Sequence, residues 1–351
     1  MLLFELEKDS VWTALKKTEE PIVMYGTGNG ADKVFEVLDS RAIPISGVAA
    51  SDGFVRKRQF HGFEVRPISA FEEALGDFTV IVTFGTQIPE VIENIKNIAK
   101  RHRVLVPCVP VIGNEIYCEE FIEENEEKIN LAYSLLADEK SREVYKNYIN
   151  FEYSGRLDYL FASESPGDEA FPECIPLSDE EVYVDIGAYR GDTVAEFLRI
   201  TCGKYKKIIA AEPDVKSFKK LCESCAELEN FEAVNKAVTG FDGFVGFSSL
   251  AGRQSAVGGE KKTECVSLGT LCGESTPSYV KIDSEGCEYE ILDGARDILK
   301  AHRPKLNVAA YHKSADIFEL VILIKSINPD YTVHLRHHPY IPAWDTNLYC
   351  R

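Results

Sequence analysis

The chain has 351 residues, with 39 Lys or Arg against 57 Asp or Glu and a net charge of −18. That length can hold two domains with cores of their own, and 45% apolar with 27% charged residues is ordinary for a soluble globular protein. So acidic a surface repels phosphate backbones, which argues against nucleic acid and anionic membrane as partners. The first residues, MLLFELEKD, lack the basic start and apolar core of a signal peptide. The longest mostly apolar stretch, 104–112, carries two prolines and is too short to span a bilayer. A cytoplasmic location is therefore expected, and the ten scattered cysteines fit it as small buried hydrophobes. Cys222 and Cys225 form the only C-x-x-C, mid-helix and without a second pair or a nearby His.

Residues 1–114 alternate strand and helix, predicting a small Rossmann-like α/β domain with a parallel sheet. PIVMYGTGNG is a strand running into a glycine turn and ADKVFEVLDS an amphipathic helix. ISGVAASD, FTVIVTFG and RVLVPCVPVI are further strands. Gly26-Thr27-Gly28-Asn29-Gly30-Ala31 fits G-x-G-x-x-A after the first strand, and Asp52 follows the second strand at the distance of a ribose-binding acid. Gly26, Gly28, Asn29 and Asp52 are thus a candidate nucleotide or nucleotide-sugar site. The alternative is a purely structural or dimerising role, which leaves a homo-oligomer open.

Residues 115–180 are read as a helical connector and loop. Seven glutamates between 115 and 127 meet no basic residue, helical periodicity continues to residue 151, and SESPGDEAFPECIP is loop.

From residue 181 to 351 strand and helix again alternate: EVYVDIG, DTVAEFLRI, KIIAAEP, VKSFKKLCESCAEL, FEAVNKAV. GFVGFSS and ECVSL flank a glycine-rich excursion at 251–260. PSYVKID, EYEILDGARDILKAH, KLNVAAY and SADIFELVILIKSI follow. YTVHLRHH and DTNLYCR close the chain with only a Pro-rich turn between them, which permits an antiparallel pair but no right-handed crossover. The prediction is a doubly wound, mostly parallel sheet closed by an antiparallel hairpin.

Val184-Asp185-Ile186-Gly187-Ala188-Tyr189-Arg190-Gly191-Asp192 follows a strand and opens a helix, where open α/β sheets bind ligands. Asp185 would repel a pyrophosphate but attract the ammonium of a methionine moiety, and Tyr189 stands where a dinucleotide fingerprint has its middle glycine. The helix start at Asp192-Thr193 can offer amides to a carboxylate. Glu212-Pro213, at the end of the next strand, can accept two ribose hydroxyls of either cofactor type. The plainer reading is that Gly187 and Gly191 only turn the chain and Asp185 caps the helix. Further on, Lys281, Asp283, Glu285 and Glu288 sit at the carboxyl end of a central strand. There Lys281 and Asp283 share a side, and they could equally just pair with each other while Glu285 and Glu288 favour the first turn of the next helix.

VDIGAYRGDT, AAEPD, NKAV and VKIDSEGCEYEILDGA, in this order, resemble the FkbM-type methyltransferases, over roughly residues 138–351. The resemblance implies a class I methyltransferase fold and an enzyme that O-methylates a hydroxyl of a sugar, glycan or other small molecule with S-adenosylmethionine (SAM). Asp185, Gly187 and Gly191 would then line the methionine end and Glu212 the ribose. Lys236-Ala237 would lie near the adenine, and Lys281, Asp283 and Glu285 would face the transferred methyl. Tyr189 departs from the family, which often has Asn there. Residues 1–114 resemble the small Rossmann-like domain that precedes sugar-modifying enzymes in bacteria.

Methyl transfer needs donor and acceptor aligned and the hydroxyl proton removed. His312, directly after KLNVAA, is the first candidate base, with Glu285 and Asp283 competing. These two carboxylates could instead hold a divalent metal that acidifies the acceptor. Of His337 and His338, at most one faces the cleft. Two other functions compete: a non-catalytic nucleotide-sugar-binding protein, and a nicotinamide-dependent oxidoreductase, for which no hydride-transfer constellation is evident.

Overall fold

The computed structural model of the protein describes residues 1–52, 59–248, 256–257 and 261–351. Its N-terminal part runs α1 (Val11–Lys17), β1 (Ile22–Tyr25), α2 (Asn29–Ser40), β2 (Gly47–Ala50), β3 (Gln59–Phe60), β4 (Phe63–Pro67), α3 (Ile68–Leu75), β5 (Thr79–Val82), α4 (Pro89–Ala99) and β6 (Arg103–Leu105). The strands form one sheet in the order β3-β4-β2-β1-β5-β6, parallel except for the edge strand β3. The four expected strands are present. The β3–β4 hairpin and the helices α1 and α3 are additions that the alternation of longer apolar runs did not reveal.

Four helices follow: α5 (Glu119–Leu135), α6 (Glu139–Ser154), α7 (Leu157–Ser163) and α8 (Gly167–Cys174). Asp138 caps α6 by accepting from the Ser141 amide, and Gly155 ends it in the left-handed region at φ 68°. α6 buries Tyr145, Tyr148, Ile149 and Phe151, and Arg336 reaches across to Asp138 at 2.9 Å. These helices are packing elements, and one continuous apolar cluster runs from Val11 through Phe151 to Cys350. The proline-rich stretch expected as loop forms the short helix α8.

The C-terminal part begins with β7 (Val182–Ile186), α9 (Asp192–Ile200), β8 (Lys207–Ala211), α10 (Val215–Ser224), β9 (Phe231–Val234), β10 (Ala237–Val238), β11 (Gly243–Ser248), β12 (Ala256–Val257), β13 (Lys261–Val266) and α11 (Leu268–Cys272). It continues with β14 (Tyr279–Ile282), α12 (Glu288–Gly294), α13 (Arg296–His302), β15 (Lys305–Ala309), α14 (Asp316–Ile327), β16 (Val333–His337) and β17 (Thr346–Cys350). Seven strands are ordered β16-β17-β15-β14-β7-β8-β9, with β17 antiparallel to both its neighbours.

Two expected elements are split. FEAVNKAV breaks because the Asn235 side chain leaves the sheet to donate to the Glu212 carbonyl at 2.8 Å. β10 instead joins a small second sheet, β10-β13-β11-β12. Most of the glycine-rich excursion 251–260 lies outside the described residues. EYEILDGARDILKAH becomes α12 and α13, broken where Gly294 lies against Gly240: a Cβ on Gly294 would sit 2.4 Å from the Gly240 carbonyl oxygen. Among the described residues, no helix is long and apolar enough to cross a membrane.

Candidate active site

Parallel strands deliver their loops to one edge of the sheet, and there the ends of β7, β8, β14 and β15 border a cleft of about 1130 Å³. The turn after β7 is shaped by close approach: a Cβ on Gly187 (φ 79°) would stand 1.8 Å from the Asp283 carbonyl oxygen. Tyr189 is left-handed at φ 47°, a conformation that suits Asn better than Tyr, and it is stabilised here by its amide donating to Glu212 at 2.9 Å.

Glu212 follows β8 and borders the cleft. Its other oxygen accepts from the Asp214 amide at 2.8 Å, so two backbone donors orient the carboxylate. Burial pushes its pKa up to about 7, against those donors. Each oxygen keeps capacity to accept a further hydrogen bond. Gly187, Tyr189, Asp192, Thr193, Pro213, Lys236 and Ala237 border the same side of the cleft. The Lys236 ammonium is drawn to Glu264 at 2.5 Å, leaving its stem along the wall.

Asp185 and Gly191 do not border the cleft, which corrects their expected place beside the ligand. Asp185 is wholly buried behind the turn, where it accepts from the Thr193 hydroxyl and lies 3.7 Å from the Lys281 ammonium. Its pKa is raised by burial in spite of both partners. Gly191 backs onto α10, where a Cβ would meet Ser224 Oγ at 2.8 Å.

Lys281, Asp283, Glu285 and His312 do converge on the cleft. Lys281 Nζ lies 3.5 Å from Asp283 and bridges it to Asp185. Burial opposes its charge, but the two carboxylates outweigh that and push its pKa up, so it is a fixed cation. Glu285 takes a left-handed conformation (φ 53°), and burial raises its pKa to about 7 against the pull of His312. The His312 ring, 1% exposed, is enclosed by carboxylates: Glu288 at 3.1 Å from Nδ1, and Asp283 and Glu285 at 3.5 and 3.6 Å from Nε2. Burial alone would lower its pKa, but these three charges raise it to about 10. These carboxylates favour the imidazolium form, which opposes the expected role of His312 as base.

Glu288 is the residue that the sequence reading passed over as a helix-start acid. It is fully buried, and its pKa is lowered despite burial by His312 and by the Ser284 amide and hydroxyl at 2.7 and 3.0 Å. Its spacing from Asp283 on a tight turn was the available signal. Among the described residues, Asp283, Glu288 and His312 form the one group whose potential metal-ligand atoms lie within 4.8 Å of one another. Glu285, named with Asp283 as a possible metal pair, is not part of that group, although it lies 3.6 Å from His312. Of the two neighbouring histidines only His338 borders the cleft; His337 turns away to Thr346 at 2.9 Å.

The N-terminal part of the chain supplies part of the opposite wall. Thr86 and Ile341 exchange backbone hydrogen bonds of 2.7 and 2.9 Å, and Gly85 lies against the Trp344 ring. Asn29, Gly30, Lys33 and Gln87 border the same cleft. Gly26, Gly28 and Asp52 do not, and Asp52 accepts from the Ser69 amide at 3.4 Å. The candidate nucleotide loop therefore shares a cavity with the C-terminal site through Asn29.

The seven-strand order, with a glycine turn after the first strand and an acid at the end of the second, defines a class I methyltransferase fold. Residues 185–340 match the methyltransferase FkbM domain. The chain carries an FkbM methyltransferase domain, and it is an enzyme of the methyltransferase type. The crystal structure of a methyltransferase FkbM from Methylobacillus flagellatus KT matches it at TM-score 0.75 and 22% identity, over 97% of this chain and 92% of that one. The fold is thus shared across the N-terminal domain as well. A precorrin-6y C5,15-methyltransferase from Geobacter metallireducens GS-15 matches 52% of this chain and 85% of its own at 14% identity, TM-score 0.34. Fibrillarin from Aeropyrum pernix, solved with natively bound S-adenosyl-L-methionine, matches 50% of this chain and 70% of its own at 11% identity, TM-score 0.32. No curated protein matches the chain.

Proposed function

We propose that the enzyme methylates a hydroxyl of a sugar, glycan or other small molecule, with SAM as donor. The observation that carries the cofactor reading is Glu212: a buried carboxylate, oriented by two amides and bordering the cleft, suits a vicinal diol. Gly187 and Tyr189 leave backbone close to the cleft, and Asp192-Thr193 at the start of α9 present amides suited to a carboxylate. SAM supplies an electrophilic methyl carbon on a sulfonium.

The remaining work falls to the chain. Tyr311, Tyr340 and Trp344 border the acceptor side and offer ring faces and a hydroxyl to a carbohydrate. Lys281 holds Asp283 in place, and the carboxylates of Asp283 and Glu285 orient the acceptor hydroxyl and draw off its proton as the new bond forms. Carboxylates on the acceptor side also disfavour anionic groups near the reacting oxygen, which supports a neutral acceptor. Methyl-labelled SAM incubated with a panel of neutral and acidic glycosides tests the reading. Label carried to a neutral glycoside hydroxyl supports it, and label on nitrogen or carbon acceptors alone refutes it.

A further inference from the structure

The side chains at the floor of the cleft are arranged as donors around a common point. His312 and Glu288 are 1% and 0% exposed; His312 Nδ1 meets Glu288 Oε1 at 3.1 Å, and Glu288 Oε2 has no hydrogen-bond partner. An orphaned carboxylate oxygen at such depth is costly unless something satisfies it. Glu288 Oε1 is committed to Ser284, so the spare capacity lies on Oε2. Asp283, half-buried at the strand end, brings a third donor, and one atom from each of the three residues lies within 4.8 Å of the others. Atoms that each sit about 2.0–2.2 Å from one cation are about 3–4.4 Å apart, the spacing of a shared ligand set.

We propose that Asp283, Glu288 and His312 hold a divalent cation, which on binding displaces the proton of the His312 imidazolium. Two carboxylates with one imidazole fit a transition-metal dication, Mn²⁺ through the carboxylates or Zn²⁺ through the imidazole, better than Ca²⁺, which prefers oxygen alone. The loop builds this set locally. Glu285 and Gly286 are both left-handed, at φ 53° and 95°, and this turn folds Glu288 back beneath Asp283. His312 comes from the end of β15, the strand beside β14. Its carbonyl accepts from the Ile112 amide at 2.9 Å, so the N-terminal part of the chain helps to fix its backbone.

The site stands on geometry alone, whereas its role rests on the proposed hydroxyl methylation. A cation here would meet the acceptor oxygen, lower the pKa of its hydroxyl and hold the resulting alkoxide while the proton passes to Glu285, 3.6 Å from His312.

The test uses the full chain, stripped with EDTA and desalted, and titrated with MnCl2 while free Mn²⁺ is read by electron paramagnetic resonance. One site per chain is expected, weakened at least ~10-fold in His312→Gln, Glu288→Gln and Asp283→Asn. Thermal melts show which variants are folded, and half-buried Asp283→Asn decides if the buried ones are not. Glu212→Gln should lose affinity for S-adenosylhomocysteine yet bind Mn²⁺ as the wild type does, so the metal site and the cofactor reading fail separately. Wild-type protein that binds neither Mn²⁺, Mg²⁺ nor Zn²⁺ overturns the proposal. So does binding that persists in folded Asp283→Asn, which would mark adventitious ions on an acidic surface.

Discussion

Glu212 offers the sharpest test of the cofactor site, because its two roles separate in one titration. Its oxygens accept from Tyr189 and Asp214 at 2.9 and 2.8 Å, and in the complex each would also accept a ribose hydroxyl. A hydrogen bond to a charged group contributes about 1.5–3 kcal/mol, and part of that returns when water fills the hole left by truncation. Glu212→Ala should therefore weaken S-adenosylhomocysteine by about 2–4 kcal/mol, or ~30- to 10³-fold in Kd. Glu212→Gln keeps the shape and one acceptor oxygen and should lie between. The pH dependence follows from the carboxyl whose pKa burial has raised to about 7. Hydroxyl donors bind the ionised form, so the ligand must expel the proton when the free site is protonated. Affinity should then be flat above pH 7 and fall about tenfold for each unit below it, while Glu212→Gln shows no such slope. Isothermal calorimetry from pH 5.5 to 8.5 reads both effects. A wild-type Kd that is level across this range, or an unchanged Kd in Glu212→Ala, refutes the placement of the ribose at Glu212.

Gly187→Ala should lower stability by more than about 2 kcal/mol in denaturant melts, since its Cβ would overlap the Asp283 carbonyl oxygen at 1.8 Å in a left-handed conformation. Wild-type stability would mean that the β7 and β14 loops are not in contact. Gly85→Val should push Trp344 away, its nearest ring atom lying 2.5 Å from a Cβ there. Because Trp344 is on the acceptor side, the acceptor KM should rise while the affinity for S-adenosylhomocysteine holds; loss of cofactor affinity instead would place Trp344 elsewhere in the chemistry.

The side of the cleft bordered by Glu212 was legible because it depends on local signals: a strand, a glycine turn and an acid at the next strand end. Gly187, Glu212 and Lys281 all border the cleft. What sequence could not carry was direction. Asp185 and Ile186 are neighbours on one strand, yet Ile186 borders the cleft and Asp185 is sealed behind it. His312 was readable as a strand-end histidine, but its charge is set by Glu288, 24 positions away, and the turn that folds Glu288 inward needs left-handed Glu285. The wall supplied by Gln87 and Gly85 depends on docking against the 338–345 loop, which no periodicity encodes.

The N-terminal fingerprint shows the same limit from the other side, and it ends in a prediction. Gly26, at φ 127°, would drive a Cβ into Thr83 and Phe84 at 2.7 and 2.8 Å, and Gly30 would meet the Thr83 carbonyl oxygen at 2.9 Å. Packing against the end of β5 is therefore sufficient reason for both glycines, with no ligand needed. Gly28 differs: its φ is −94° and a Cβ there meets nothing within 4 Å. Ordinary backbone and open space make glycine dispensable to the fold at that position. Gly26→Ala and Gly30→Ala should thus each lower Tm by several degrees, about 1–3 kcal/mol, while Gly28→Val, which alters only the cap of α2, lowers it less. Nucleotides and nucleotide-sugars added to wild type and Gly28→Val then decide what the loop does. A ligand-induced rise in Tm present in the wild type and absent in Gly28→Val assigns the loop to phosphate binding. No rise in either assigns it to chain packing. Destabilisation of Gly28→Val as large as that of Gly26→Ala would refute the reasoning, since it would require a neighbour where the structure has none.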